Sequence, residues 1–271
     1  MNPLALAILG VVVLALTAAL AHAPWKLSFG FWLVVPAVAV LVQVLQPDPT
    51  PSRMVLVKAA SMCLAAALLC CVPLLRALPR RVGGTITLLI LGGNIAGSGL
   101  KAYNTNGTWA PVVAGALLIL GIGGWSATWV SEDPQEPVLR VDLGWAWVLG
   151  FAAYVAAVVH DNPVLYPMGR QLVTVGVSLI LAALWGQARW LAIRIHSLAL
   201  VFTGFVLFPE LYAGPLATPD LQIPGGAQGL GALAALLALP AVWRNGARWL
   251  RPMVVPPPTD GAAQPATGSG G

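Results

Sequence analysis

Two groups of polar and ionisable residues interrupt the apolar segments of this 271-residue chain. The larger group holds Lys58, Asn94, Lys101, Tyr103, Asn104, His160, Asp161, Asn162, Arg170, Gln171 and Glu210. Polar groups at membrane depth are costly to bury, and they usually face an interior or a cavity. A carboxylic acid at an apolar boundary with little water around it has a raised pKa and can exchange a proton, which makes Asp161 and Glu210 the expected general acid and base. Asn94 and Tyr103 would complete the catalytic set by orienting the reacting group. Lys58, Lys101, His160, Arg170 and Gln171 would bind the polar part of a substrate, and the ring face of Tyr154 would steady a cationic intermediate. The smaller group holds Asp142, Arg194 and His196. Asp142 is placed to pair with Arg194 and so relieve its burial. Arg194 and His196 are two residues apart and do not share a helical face.

Each assignment competes with a plainer one. Asp161 lies in His160-Asp161-Asn162-Pro163, where Asn-Pro ends a helix, and Glu210 follows Pro209, so both also suit water-facing helix ends. Lys58 can snorkel from its depth. Tryptophans and tyrosines near segment ends, among them Trp125, Trp129, Trp145, Trp147, Trp190 and Trp243, read first as interface anchors.

Several chemistries lack their motifs. The sequence has no Gly-x-Gly-x-x-Gly, Walker loop, His-Glu-x-x-His or Asp-x-x-x-Asp. Three dispersed histidines do not make a metal or haem site, and Cys63, Cys70 and Cys71 within one apolar segment read as small buried hydrophobes. No cofactor and no metal are therefore expected. The net charge of +5 is scattered near segment ends rather than gathered on an arm, so nucleic acid is not an expected partner.

The elements that must position these residues follow from composition. Apolar residues make up 58% of the chain and charged residues 8%, against about 25% charged in soluble domains. Apolar segments at 3–22, 27–46, 54–75, 83–100, 110–130, 143–160, 169–187, 190–209 and 229–243 predict an all-α polytopic bundle of about nine spans. The first segment ends in Ala21-His22-Ala23, like a signal-peptide cleavage site, but no basic residue precedes it and Pro24 follows, so it reads as a span. Lysines and arginines concentrate on the face reached after the odd-numbered spans, which puts the N-terminus outside and the C-terminus in the cytoplasm of a multi-pass cell-membrane protein.

Residues 1–251 are read as one transmembrane domain and 252–271 as a disordered cytoplasmic tail. The Gly- and Pro-rich loop 211–228 would cover the larger polar group as a lid. Gly93 and Gly97 form a GxxxG pair that would place the fourth helix centrally or pack it on a partner.

A bundle with a one-sided polar mouth suits a membrane-embedded enzyme acting on an amphiphilic lipid or isoprenoid. General acid–base chemistry would occur at the outer leaflet, in its most specific form the cyclisation of a polyprenyl chain. The alternatives are a small-solute transporter or channel using the same polar cluster, and a non-catalytic membrane subunit.

Overall fold

The computed structural model describes residues 3–45, 53–71, 77–130, 139–160, 168–213 and 223–250. Ten α-helices lie among them. These are α1 (Pro3–His22), α2 (Trp25–Leu45), α3 (Arg53–Cys70), α4 (Arg80–Asn106), α5 (Trp109–Gly121), α6 (Trp145–His160), α7 (Met168–Trp185), α8 (Trp190–Leu207), the short α9 (Pro209–Ala213) and α10 (Gly226–Asn245). The all-α fold is as expected. Four stretches are long and apolar enough to cross a bilayer: Leu4–His22, Trp25–Gln43, Gln187–Leu207 and Gly226–Trp249. Shorter apolar helices accompany them at Leu56–Cys70, Trp109–Gly121, Trp145–His160 and Gly169–Trp185. Large side chains such as Leu4, Leu89, Leu184 and Leu236 stand exposed on the outside of the bundle, as lipid-facing residues do.

One expected span is shorter than its apolar run. The segment 110–130 is helical only to Gly121, because Gly123 and Gly124 take positive φ of 85° and 69°, a region closed to most other residues. A 3₁₀ turn (Gly124–Ala127) and a strand β1 (Thr128–Val130) follow, and β1 pairs antiparallel with β2 (Leu139–Val141). This small hairpin marks one end of the bundle. At the opposite end α4 runs past its expected limit and carries Lys101, Tyr103 and Asn104 as helical residues before Gly107 closes it in the left-handed conformation.

Close contacts fix the helix directions. Gly231 lies against Ala110 and Pro111 while Gly121 lies against Ala241, so α5 and α10 run parallel. Gly150 meets Ala234 and Ala238, and Gly226 meets His160, so α6 and α10 run antiparallel. Packing divides the helices into two sets. α4, α5, α6 and α10 form one, and α1, α2, α3, α7 and α8 the other. The sets meet where α6 lies on α7 and where β2 lies on α8.

The central helix is α8 rather than α4. Of the most apolar 18 residues within Gln187–Leu207, 72% are buried, against 17% within Trp25–Gln43. A Cβ built on Gly93 or Gly97 would meet nothing within 4 Å, so the GxxxG pair packs against no helix of this chain among the described residues. Small residues do their packing on α5, α6 and α10 instead.

Two expected interface tryptophans are also core residues. Trp147 and Trp190 are buried and pack with Phe151, the Trp147 and Phe151 rings lying nearly parallel at 5.3 Å and the Trp190 ring edge-on to Phe151 at 5.0 Å. Trp147 Nε1 donates to the carbonyl of Leu118 at 2.7 Å, which satisfies the indole without water. Trp125, Trp145 and Trp243 remain exposed.

Candidate functional site

A cavity of about 50 Å³ opens between the two helix sets. From one set come Asn94 and Ser98 of α4 and Phe151, Tyr154, Val155, Val158 and Val159 of α6; from the other come Lys58 of α3, Gln171 of α7 and Arg194, Leu198 and Phe202 of α8. α3 and α4 pack little on each other, and a hydrogen bond from Lys58 Nζ to Asn94 Oδ1 at 2.6 Å spans the space between them. The amide of Asn94 thereby has the partner that its depth requires.

Arg194 is the main surprise. The hydroxyl of Ser197 donates to the carbonyl of Thr174 at 3.2 Å and lies 3.1 Å from the hydroxyl of Ser178, which sets the level at which α7 and α8 face each other. Arg194 lies three residues from Ser197 toward the hairpin end, and Gln171 three residues from Thr174 toward the other end. The two backbones are thus separated by roughly 9 Å along the axis at 1.5 Å per residue. Their side chains close that distance, with Arg194 Nη2 donating to Gln171 Oε1 at 3.4 Å. Arg194 therefore belongs with Lys58, Asn94 and Gln171, not with a separate inner cluster. It is 5% exposed, and its Nε and Nη1 have no hydrogen-bond partner among the described residues. The ring of Phe151 lies 5.9 Å from the charge.

The expected pairing of Asp142 with Arg194 does not occur. Asp142 Oδ1 accepts from Arg244 at 3.0 Å and Oδ2 from Arg248 at 2.9 Å. Asp142 follows the hairpin, while both arginines follow from the end of α10, so the carboxylate ties the helix end to the hairpin. Asn245 reinforces the joint by donating to the carbonyl of Gly121 at 2.8 Å. Burial alone would raise the Asp142 carboxyl. The hydrogen bond from Arg248, the charges of Arg244 and Arg248 and a hydrogen bond from Gln187 outweigh it and hold the group below the usual carboxylate value.

His196 is buried on another face of α8. Its Nδ1 accepts from Trp32 Nε1 at 2.8 Å, which puts the ring proton on Nε2, and Nε2 faces Cys70 Sγ at 3.6 Å. With the proton on Nε2, the imidazole cannot act as a base toward that thiol. His160 accepts at Nε2 from the backbone N–H of Ile223 at 2.7 Å and so fixes the approach to α10.

The remaining expected site residues do not line the cavity. Arg170 stacks on the ring of Phe205 at 4.0 Å and faces that of Tyr212 at 5.2 Å. Tyr103 is exposed and packs on Trp109 at 4.8 Å. Glu210 is exposed on α9, and Lys101 on α4 is not part of the lining, though its charge acts on that of Lys58. Asp161 and the segment 252–271 lie outside the described residues. Tyr154 does reach the cavity, but its hydroxyl is committed to the carbonyl of Ile95 at 2.5 Å.

Sequence reasoning missed Ser98 and the apolar walls from Phe151 and Phe202. A polar residue next to Gly97 on the face of Asn94 was the available signal for Ser98; nothing in the sequence singles out the two phenylalanines. The chain matches no protein-family model, no curated protein and no solved structure.

Proposed function

We propose that this chain is a multi-pass protein of the cell membrane, with about nine spans, that acts on an amphiphilic lipid or isoprenoid held in the cavity between its two helix sets. The observation that carries this reading is the buried guanidinium of Arg194 at that cavity, two of whose nitrogens have no hydrogen-bond partner among the described residues. A charge kept at membrane depth without a protein counter-charge is expensive, and binding is the usual reason to retain it. The polar groups fit the head of such a ligand, and the aliphatic and aromatic walls fit the start of its tail. The thin packing between α3 and α4 supports a sideways route for that tail into lipid.

In its enzymatic form the reading needs an acid at the cavity. Among the described residues no carboxylate lines it, so proton-initiated chemistry such as polyprenyl cyclisation would rest on Asp161, two residues beyond Val159. Glu210 and Tyr103 have no part in this proposal.

The test is to purify the protein from membranes and identify retained amphiphiles by native mass spectrometry. Leu198→Trp, which fills the cavity, is expected to abolish retention, while Leu184→Trp on the exposed face of α7 leaves it intact. Retention that survives Leu198→Trp, or no retained amphiphile in the unaltered protein, would remove the reading.

A further inference from the structure

From the donors that face the same cavity we infer that the ligand's head is a phosphate-class anion, a terminal phosphate monoester. This inference rests on the reading that the cavity receives an amphiphile.

First, both side-chain amide oxygens that line the cavity already accept a hydrogen bond from a cation. The Asn94 Oδ1 takes the Lys58 hydrogen bond, and Gln171 Oε1 takes that of Arg194 and lies 3.3 Å from the Thr174 hydroxyl. Besides the hydroxyl of Ser98, which can donate or accept, a ligand meets donors: the amide nitrogens of Asn94 and Gln171, the ammonium of Lys58 beyond its one bond, and the guanidinium of Arg194. Such a lining selects a group that only accepts.

The second argument is charge. Two cations face the cavity and, among the described residues, no carboxylate does. A phosphate monoester carries roughly −1.5 to −2 near neutral pH, which balances the pair, whereas a carboxylate leaves one positive charge buried. Guanidinium and ammonium groups together are the usual cradle for a phosphoryl group.

The third argument is size. A cavity of about 50 Å³ holds roughly four waters at 10–15 Å³ each. That is room for a terminal phosphoryl group.

The experiment measures binding by native mass spectrometry in nanodiscs of phosphatidylcholine. The probes are phosphatidic acid against diacylglycerol with the same chains, geranylgeranyl monophosphate against geranylgeraniol, oleic acid, and inorganic phosphate alone. At least one phosphorylated amphiphile is expected to bind more than about tenfold tighter than its alcohol and than oleic acid, as charge-assisted bonds to two cations require. Arg194→Gln is expected to abolish that preference and Lys58→Gln to reduce it. Arg194→Lys, which keeps the charge should the glutamine variant fail to fold, is expected to retain part of it.

Equal binding of phosphate and alcohol, or of oleic acid and phosphate, overturns the phosphate inference and leaves the amphiphile reading standing. Tight binding of inorganic phosphate with no gain from a tail keeps the anion chemistry but overturns the amphiphile reading. A preference unchanged in Arg194→Gln overturns the assignment to this cavity, and no binding of any probe overturns both.

Discussion

The helices α5, α6 and α10 and the cavity between α3, α4, α7 and α8 are built by opposite means. In the first region backbones touch: a Cβ on Gly231 would lie 2.8 Å from backbone atoms of Ala110 and Pro111, and one on Gly150 would lie 3.3 Å from backbone atoms of Ala234 and Ala238. Few polar side chains are needed there, because close van der Waals packing holds helices together where lipid offers no hydrophobic driving force. In the second region α3 and α4 stand apart and Lys58 crosses to Asn94, while on the packed pair α7 and α8 Arg194 reaches along the axis to Gln171. The contrast separates a rigid support from a region that leaves a space, and that space is lined by a charge with no counter-charge among the described residues.

The comparison breaks most readily at its tightest contact. Gly231→Leu drives a side chain into the backbone of α5, where nothing flexible can yield, and is expected to cost about 3 kcal/mol or more. Thermal unfolding in detergent reads this as a large fall in midpoint; a midpoint near that of the unaltered protein would mean that α5 and α10 do not touch as described.

The next effect has the opposite sign. Arg194→Met removes a buried charge with no counter-charge among the described residues and is expected to stabilise the ligand-free protein by about 1 kcal/mol or more. Destabilisation in the same assay would show that the guanidinium is compensated by the protein.

Asp142→Asn tests the joint at the hairpin end. Both arginines there are partly exposed, so at neutral pH the loss is expected to be only about 1 kcal/mol. Because the folded carboxyl is held below its unfolded value of about 3.9, its contribution is fully present above that pH and fades as pH falls through the lower folded value. Unfolding curves of the two proteins should therefore converge on acidification, and a gap that persists at low pH would assign the effect to packing. Smallest of all, Gly97→Leu is expected to change stability by no more than about 0.5 kcal/mol, since its Cβ meets open space. A large loss would restore a packed GxxxG face.

Helix existence and class were legible in the sequence, because lipid forces backbone groups to be bonded within each segment and so ties long apolar runs to helices. The end of α5 was less so. The run stays apolar through Val130, and only the left-handed Gly123 and Gly124 stop the helix. Gly93 and Gly97 did not put α4 at the centre of the bundle, because a small-residue motif reports that close approach is permitted, not that a neighbour in the same chain is present.

In the cavity, Lys58, Asn94, Gln171 and Tyr154 could be singled out as polar groups at depth, but their convergence is a tertiary fact. Arg194 was assigned to the other end because sequence gives the depth of its backbone, and its side chain reaches toward the opposite end. Asp142 had three arginines within plausible range, and sequence separation favours neither Arg244 nor Arg248 over Arg194; the fold brings the end of α10 to the hairpin.

The most direct test of the central claim is an electron cryomicroscopy map of the protein in lipid nanodiscs at a resolution that shows ordered water. The account predicts non-protein density in the cavity within hydrogen-bond distance of Arg194 Nε or Nη1 and close to Lys58, continuing as a tail between α3 and α4. A carboxylate of the protein itself, such as Asp161, paired with Arg194 in a cavity without such density would contradict it.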